Sequence, residues 1–204
     1  MKKVFSLAVL MLLVLQLLPS CGNTVDEAEI KEAAAALIEA SYEINEIYFG
    51  DGLPYREEEV KYAEEQLGDE NDVENAVYLN VKEDCGFKSV SEIKAATSAV
   101  YSKTYCEQLF KVGFEGLQDS EGQLYRYARY VENEYFDLTV RYGLEKESRT
   151  QGRTYDIDSI SVETVGRNFA ILRVDSLIGS SPSAAVTLKI VKEENGWRLD
   201  TPTY

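Results

Sequence analysis

The apolar residues of this chain recur at two different periods, one early in the chain and one late. After Thr24 they recur every three or four residues up to Gly50, which is the spacing of one face of an α-helix. The residues on that face are Ile30, Ala34, Leu37, Ser41, Ile44 and Tyr48. The sequence Thr24-Val-Asp-Glu27 fits a capping box. The pattern therefore predicts a long amphipathic helix that starts at Thr24 and ends before Gly50.

Shorter elements are predicted between this helix and the second half of the chain. Residues 56–67 form a charged segment that predicts a short surface helix, and residues 77–81 predict a strand. Two further capping boxes, Ser89-Val-Ser-Glu92 and Thr104-Tyr-Cys-Glu107, predict the starts of two more helices.

From Leu124 onward the apolar period changes to two. Apolar and polar residues alternate in five segments, 136–142, 160–164, 170–174, 186–190 and 197–199. Turn sequences separate the last four segments, at 166–168, 179–183 and Asn195-Gly196. Such alternation is typical of an antiparallel sheet that buries one face. We therefore predict an α+β fold, with the long helix and the short helices packed on a curved antiparallel sheet.

The first 21 residues carry a targeting signal. Lys2 and Lys3 precede an apolar stretch, residues 4–18, which is shorter than the roughly 20 residues that a transmembrane helix needs. The stretch ends in Leu18-Pro-Ser-Cys21, which resembles the lipobox of bacterial lipoproteins. The resemblance implies that Cys21 takes a diacylglyceryl thioether. The alternative is an ordinary secretory signal that happens to contain a cysteine.

This signal predicts the organisation of the chain and its location. Residues 1–20 are expected to be removed as a signal peptide, 21–24 to form a short tether, and 25–204 to form a single α+β domain. Acyl chains on Cys21 would hold the protein at the extracytoplasmic face of the cell membrane. Loss of the two signal lysines changes the net charge from -15 to -17. So acidic a surface is repelled by anionic lipid and argues against nucleic acid as a partner.

Histidine is missing from the sequence, which removes His-based triads, imidazole proton shuttles and His-ligated zinc. Ser91 and Lys94 match the S-x-x-K pattern of penicillin-binding proteins, but the companion S-D-N and K-T-G motifs are absent. The acidic run at 69–72 fails the calcium-loop pattern and predicts a solvated loop. We therefore predict no catalytic residue, no metal site and no cofactor.

Acid–base catalysis without histidine stays open as an alternative, since an aspartate base can work with a tyrosine donor in an apolar pocket. Asp137, Asp156 and Asp158 are the candidates for the base. None is singled out by an apolar setting that would raise its pKa, because Asp137 falls on the polar side of its segment and the other two flank a strand start.

The stretch Tyr125-Arg-Tyr-Ala-Arg-Tyr130 is the candidate binding surface. On a single strand Tyr125, Tyr127 and Arg129 would share one face, and Arg126, Ala128 and Tyr130 the other. Tyrosine and arginine are enriched where proteins bind partners. Arg129 on a tyrosine-lined sheet could clamp a carboxylate, and Arg153 could help to orient a ligand. The alternative is a chance cluster among 14 tyrosines, with the arginines paired to surplus acids.

Two cysteines remain in the predicted domain, Cys85 and Cys106. Outside the cytoplasm such a pair can oxidise to a disulfide. An intervening helix would be about 20 Å long, whereas bridged Cα atoms lie within about 7 Å, so both flanks would have to fold back. Two separate buried thiols are therefore the better interpretation.

The order of the elements also resembles a known group of folds. A long N-terminal helix, short helices and a terminal meander closing in Asn195-Gly-Trp-Arg198 look like the cystatin-like and nuclear-transport-factor-2-like cone folds. The order is similar to that of secreted inhibitors of cell-wall DL-endopeptidases. The resemblance implies a non-catalytic binding or inhibitory module that acts on an envelope protein such as a cell-wall hydrolase.

Two other functions stay open. The first is a small-ligand pocket or His-free enzyme in the interior of the cone, and the second is a structural spacer with an exposed apolar patch. A core filled by Ile44, Leu172 and Trp197 would favour the binding module, whereas a deep pocket with a buried Asp–Tyr pair would favour the enzyme.

Overall fold

Helices come first in the chain and the long strands come last. A computed structural model of the chain describes residues 26–67, 76–143 and 152–204. The helices are α1 (Glu27–Phe49), a 3-10 turn (Glu57–Glu59), α2 (Val60–Leu67), α3 (Val90–Val100), α4 (Lys103–Phe110) and a π-helical turn (Lys111–Glu115). The strands are β1 (Tyr78–Asn80), β2 (Leu117–Gln118), β3 (Leu124–Arg126), β4 (Tyr130–Glu132), β5 (Leu138–Arg141), β6 (Arg153–Val165), β7 (Phe169–Ile178), β8 (Ser181–Glu193) and β9 (Gly196–Leu199). The predicted α+β class is confirmed.

Helix α1 begins and ends close to the predicted positions. Its N-cap is Asp26, whose carboxylate accepts a hydrogen bond from the Ala28 N–H at 3.0 Å. The capping box predicted at Thr24 is therefore displaced, and Thr24 itself lies outside the described residues. At the other end the Gly50 N–H donates to the carbonyls of Asn45 and Glu46, so the helix stops where the sequence predicts.

The four long strands form one antiparallel sheet in the order β6-β7-β8-β9. Helix α1 contacts both β6 and β9, so it lies across one face of this sheet. The alternation of β7 puts Ala170, Leu172 and Val174 on that face, where all three are buried. They belong to the same core cluster as Ile44 of α1 and Trp197 of β9.

The strands in the middle of the chain form two smaller sheets. Strands β1, β5 and β4 pair antiparallel in that order, and β2 pairs with β3. The alternation predicted over 136–142 is wrong in two places, because Phe136 lies in the turn before β5 with φ of 65°, and Thr139, predicted on the polar side, is buried between Leu138 and Val140. The side chain of Phe136 is 80% exposed, so the prediction that it lies on the buried side of a strand is wrong.

The short helices follow their capping residues. Ser89 caps α3 as predicted, with its hydroxyl 3.2 Å from the Glu92 N–H. The third predicted capping box is wrong, because Ser102 and not Thr104 caps α4, accepting from the Tyr105 N–H at 3.1 Å. Within the described ranges, no helix is both long enough and apolar enough to span a membrane.

Candidate functional site

The predicted strand over residues 125–130 is broken in the structure. Strand β3 ends at Arg126 and β4 begins at Tyr130, so Tyr127, Ala128 and Arg129 connect the two. Arg129 and Tyr130 are neighbours in sequence and both are buried, with exposed fractions of 2% and 0%. The prediction that they lie on opposite faces of one strand is therefore wrong.

Arg129 is hydrogen-bonded to the π-helical turn, to β5 and to the end of α1. Its N–H donates to the Gly113 carbonyl at 2.9 Å, and its carbonyl accepts from the Arg141 N–H at 2.9 Å. Its Nη2 donates to the carbonyl of Gly50, the C-cap residue of α1. The carbonyl end of a helix carries partial negative charge, so a guanidinium at this place stabilises α1.

Tyr130 completes this contact with the end of α1. Its hydroxyl donates to the Ile47 carbonyl at 2.8 Å and accepts from the Leu53 N–H at 3.0 Å. Burial raises the pKa of Tyr130 above its usual value, which keeps the hydroxyl protonated as a donor. Gly52 allows the approach, since at φ of 77° a Cβ there would lie 2.8 Å from the Tyr130 hydroxyl.

Most of the hydrogen-bonding capacity of Arg129 is unused. Among the described residues, neither its Nε nor its Nη1 has a hydrogen-bond partner, although both atoms are buried and the Tyr130 hydroxyl lies beside the guanidinium. A guanidinium is charged at every physiological pH and has five N–H donors. Leaving buried donors unsatisfied costs about 1–3 kcal/mol for each group. An oxygen of an anionic ligand at these two atoms would remove that cost.

Two further arginines lie near Arg129. Arg141 is half-buried, and its pKa is lowered first by burial and then by the positive charges of Arg126 and Arg129. Its Nη1 donates to the Tyr127 carbonyl at 3.5 Å. We call Arg126, Arg129 and Arg141 the arginine cluster. Three positive charges so close together stand out in a chain with a net charge of -15.

The structure brings together only part of the predicted binding set. Tyr127 is half-buried beside the arginine cluster, whereas the side chain of Tyr125 lies outside the described part of the structure. Arg153 is in β6 of the four-stranded sheet, away from the arginine cluster. Its Nη1 donates to Ser176 Oγ at 2.8 Å. Sequence reasoning missed Arg141. A β4–β5 hairpin register, with Tyr130 opposite Val140, would have placed it beside Arg129.

Cys85 and Cys106 are both free thiols in the structure. Cys106 is buried, with its Sγ 3.5 Å from the Tyr101 carbonyl, and Cys85 is half-buried, with its Sγ 3.1 Å from the Phe87 carbonyl. Burial raises the pKa of both thiols, which lowers the fraction of reactive thiolate.

The residues weighed for catalysis are not brought together into a buried site. Asp137, Asp156 and Asp158 are all exposed. Ser91 hydrogen-bonds Ser89 Oγ at 2.9 Å, and the Lys94 ammonium lies 5.2 Å from the centre of a phenylalanine ring, that of Phe110. Among the described residues, no three acidic or cysteine side chains are grouped so that they could hold a metal ion. The acidic run 69–72 lies outside the described residues.

Among the described residues, the polar arrangement whose charge could attract a ligand is the arginine cluster next to the end of α1. A carboxylate or phosphate group suits it chemically, because both present oxygens that accept from guanidinium N–H groups. No relationship to known proteins adds to this, since the chain matches no protein-family model and no curated protein sequence with which it was compared.

Proposed function

We propose that this protein is a lipid-anchored, extracytoplasmic binding module without catalytic activity that acts on a protein of the cell envelope. The observation that carries the proposal is the filled interior between α1 and the four-stranded sheet. Ile44, Leu172 and Trp197 meet there in one core, with exposed fractions of 4%, 0% and 6%. A surface is therefore the place where this domain acts.

The filled interior disfavours the enzyme alternative for a physical reason. An acid–base site in a cone fold needs a cavity in which a carboxylate is buried near a tyrosine hydroxyl. In the described ranges the buried polar or charged residues are Ser41, Asn45, Thr97, Ser102, Arg129, Thr139, Ser176, Arg198 and Thr203. None of these is a carboxylic acid. The position of α1 across an antiparallel meander also supports the proposed cystatin-like arrangement.

The tether places the domain close to the membrane. Helix α1 begins at Glu27, six residues after Cys21, and six extended residues span about 20 Å. A domain with a charge of -17 is repelled by anionic lipid, so the acyl chains on Cys21 supply the attachment. This short reach suits a partner that is itself at the outer face of the membrane or in the adjoining wall, such as a cell-wall hydrolase or its membrane-bound regulator.

The anchor is tested by labelling cells with a radioactive fatty acid. The wild type is expected to incorporate the label and to sediment with membranes, whereas Cys21→Ser loses both properties. Cys85→Ser is the matched control and retains both, because that thiol is part of the folded domain. An unprocessed N-terminus in the cytosolic fraction would refute the anchor.

The binding role is tested by chemical crosslinking on intact cells followed by mass spectrometry. We expect one envelope protein to be crosslinked to wild-type protein reproducibly and to be lost when Cys21→Ser removes the protein from the membrane. Absence of any reproducible crosslink would contradict the binding module.

A second candidate function is supported by one observation, the unsatisfied Nε and Nη1 of Arg129. These buried donors suit a small anionic ligand. Arg129→Met, measured with and without phosphate or citrate, separates this candidate from a purely structural role for Arg129.

A further inference from the structure

The turn between β4 and β5 presents two aromatic side chains to solvent. Tyr135 is 74% exposed and Phe136 is 80% exposed, the two highest values among the large hydrophobic residues that the structure describes. A single exposed apolar residue is normal on a protein surface. Two adjacent rings at the end of a hairpin are a concentrated apolar surface, and we call this pair the aromatic tip.

The backbone of the aromatic tip is strained, because a phenylalanine stands at a position whose conformation favours glycine. Phe136 has φ of 65°, and it is the one residue other than glycine with a positive φ in the described ranges. A bulky side chain rarely adopts this conformation, and glycine adopts it freely. Strain of this kind persists where the surrounding structure fixes it, and it is found most often at functional sites.

The surrounding turn fixes the tip rigidly. The Asn133 side-chain oxygen accepts from the N–H groups of Tyr135 and Asp137 at 2.9 and 3.0 Å. The Phe136 N–H donates to the Asn133 carbonyl at 3.0 Å. At the base of the hairpin, Glu132 accepts from the Val90 N–H of α3 at 2.8 Å. The backbone that carries the two rings is therefore fixed before any partner arrives, which lowers the entropy cost of ordering the turn on binding.

Acidic residues surround the two rings. Glu132, Glu134 and Asp137 are all exposed next to the tip. A membrane surface with anionic lipid would repel them, whereas a protein pocket with basic residues at its rim would attract them. Aromatic side chains that fill a pocket supply much of the free energy of protein–protein binding.

We infer that the aromatic tip is the docking element of this protein, and that Tyr135 and Phe136 insert into an apolar pocket with a basic rim on the envelope partner. The inference rests on the proposed function, since it names the surface through which that function is carried out. It also states the chemistry of the partner's surface.

The inference is tested by a photocrosslinking amino acid placed at position 135 of the full-length lipoprotein in intact cells. Position 62 is the matched control, because Tyr62 is also an exposed tyrosine, 62% exposed, on α2. The expected result is a single protein adduct from position 135 and none from position 62. The crosslinked peptide of the partner should line an apolar pocket bordered by lysine or arginine.

Each other result has a distinct meaning. A lipid adduct at position 135, or the same protein adduct from both positions, overturns the docking role of the tip. If general crosslinking recovers a partner but position 135 does not react with it, the tip inference fails and the proposed function stands. If neither method recovers a protein, both fail.

Binding to the partner identified in this way gives a quantitative test. Tyr135→Ala and Phe136→Ala are expected to weaken the affinity at least about tenfold, as buried aromatic anchors do, and Tyr62→Ala to leave it within about twofold. Glu134→Lys should slow association most at low salt. Equal affinities for the wild type and both tip variants would overturn the inference.

Discussion

The side-chain amide of Asn45 donates a hydrogen bond of 2.9 Å to the hydroxyl of Thr203, although 158 positions separate the two residues. The Tyr101 hydroxyl donates to the Asn45 oxygen at 2.7 Å, and the Thr203 hydroxyl donates to Ser41 Oγ at 2.7 Å. All four side chains are buried. This polar network joins α1 to the segment that follows β9 and to the C-cap residue of α3.

Thr203→Val tests how much this network stabilises the fold. Valine has nearly the shape of threonine but cannot bond Asn45 or Ser41, so buried polar groups lose their partner. We expect the free energy of unfolding to fall by about 1–3 kcal/mol, measured by urea denaturation. Thr187→Val on the exposed side of β8 is the matched control and should change it by less than about 0.5 kcal/mol. Similar losses for both variants would show that the network adds little.

Phe136→Gly should give a more stable protein than Phe136→Ala, although both substitutions remove the large exposed side chain. Glycine relieves the positive φ of 65°, whereas Phe136→Ala keeps the strained backbone. After the greater chain entropy of glycine in the unfolded state is deducted, Phe136→Gly is expected to exceed Phe136→Ala in stability by about 0.5–1 kcal/mol. Denaturant unfolding of the two variants gives the comparison, and equal midpoints would mean that the turn holds no strain.

Buried tyrosines predict a loss of stability in alkali. Burial raises the pKa of Tyr155 to about 12 from the ordinary value of 10.0, and raises those of Tyr48 and Tyr101 as well. In the unfolded chain the hydroxyls lose their protons from about pH 10, while the fold keeps them neutral. The unfolded state then binds fewer protons at these tyrosines, so their contribution to the free energy of unfolding is constant below about pH 10 and falls between about pH 10 and 12.

Tyr155→Phe isolates the contribution of one hydroxyl to this fall. The variant should lose less stability than the wild type between the two pH limits, as measured by denaturation at several pH values alongside tyrosinate absorbance. Tyr62→Phe, at an exposed position, should follow the wild type. An unchanged slope for Tyr155→Phe would indicate that this hydroxyl titrates normally.

Elements with a single repeated period could be predicted from the sequence. Helix α1 shows its buried stripe because one side packs on the sheet, and Ile30 and Ile44 have exposed fractions of 0% and 4%. Strand β7 shows its alternation for the same reason, with Leu172 buried and Arg173 exposed. An element that is buried on one side has apolar residues at a regular spacing in the sequence, so it can be predicted.

Contacts that break this regularity could not be predicted. Arg198 falls on the polar side of β9 by alternation, yet it is 8% exposed because its Nε donates to the Ser98 carbonyl at 2.8 Å. Arg129 leaves the strand pattern because it reaches the end of α1, about 80 positions away in the sequence. Long-range contacts of this kind depend on how the elements pack. The local spacing of apolar and polar residues therefore does not predict them.

Arg129→Met separates a ligand-binding arginine from one that only caps α1. Methionine fills a similar volume without N–H donors, so it removes the unsatisfied Nε and Nη1 together with the bond to the Gly50 carbonyl. If an anion normally binds these donors, the variant without ligand should keep its stability within about 1 kcal/mol or gain some. Wild-type protein should then gain stability with phosphate or citrate, about 2.7 kcal/mol at 100 times the dissociation constant, and the variant should gain none.

Sodium chloride of equal ionic strength controls for screening in this experiment, and Arg153→Met, in the other sheet, controls for the loss of a positive charge. Arg153→Met is expected to respond to phosphate and citrate like the wild type. The opposite pattern has a clear meaning. If Arg129→Met loses more than about 3 kcal/mol and no anion stabilises the wild type, Arg129 serves the end of α1 alone and the second candidate function is excluded.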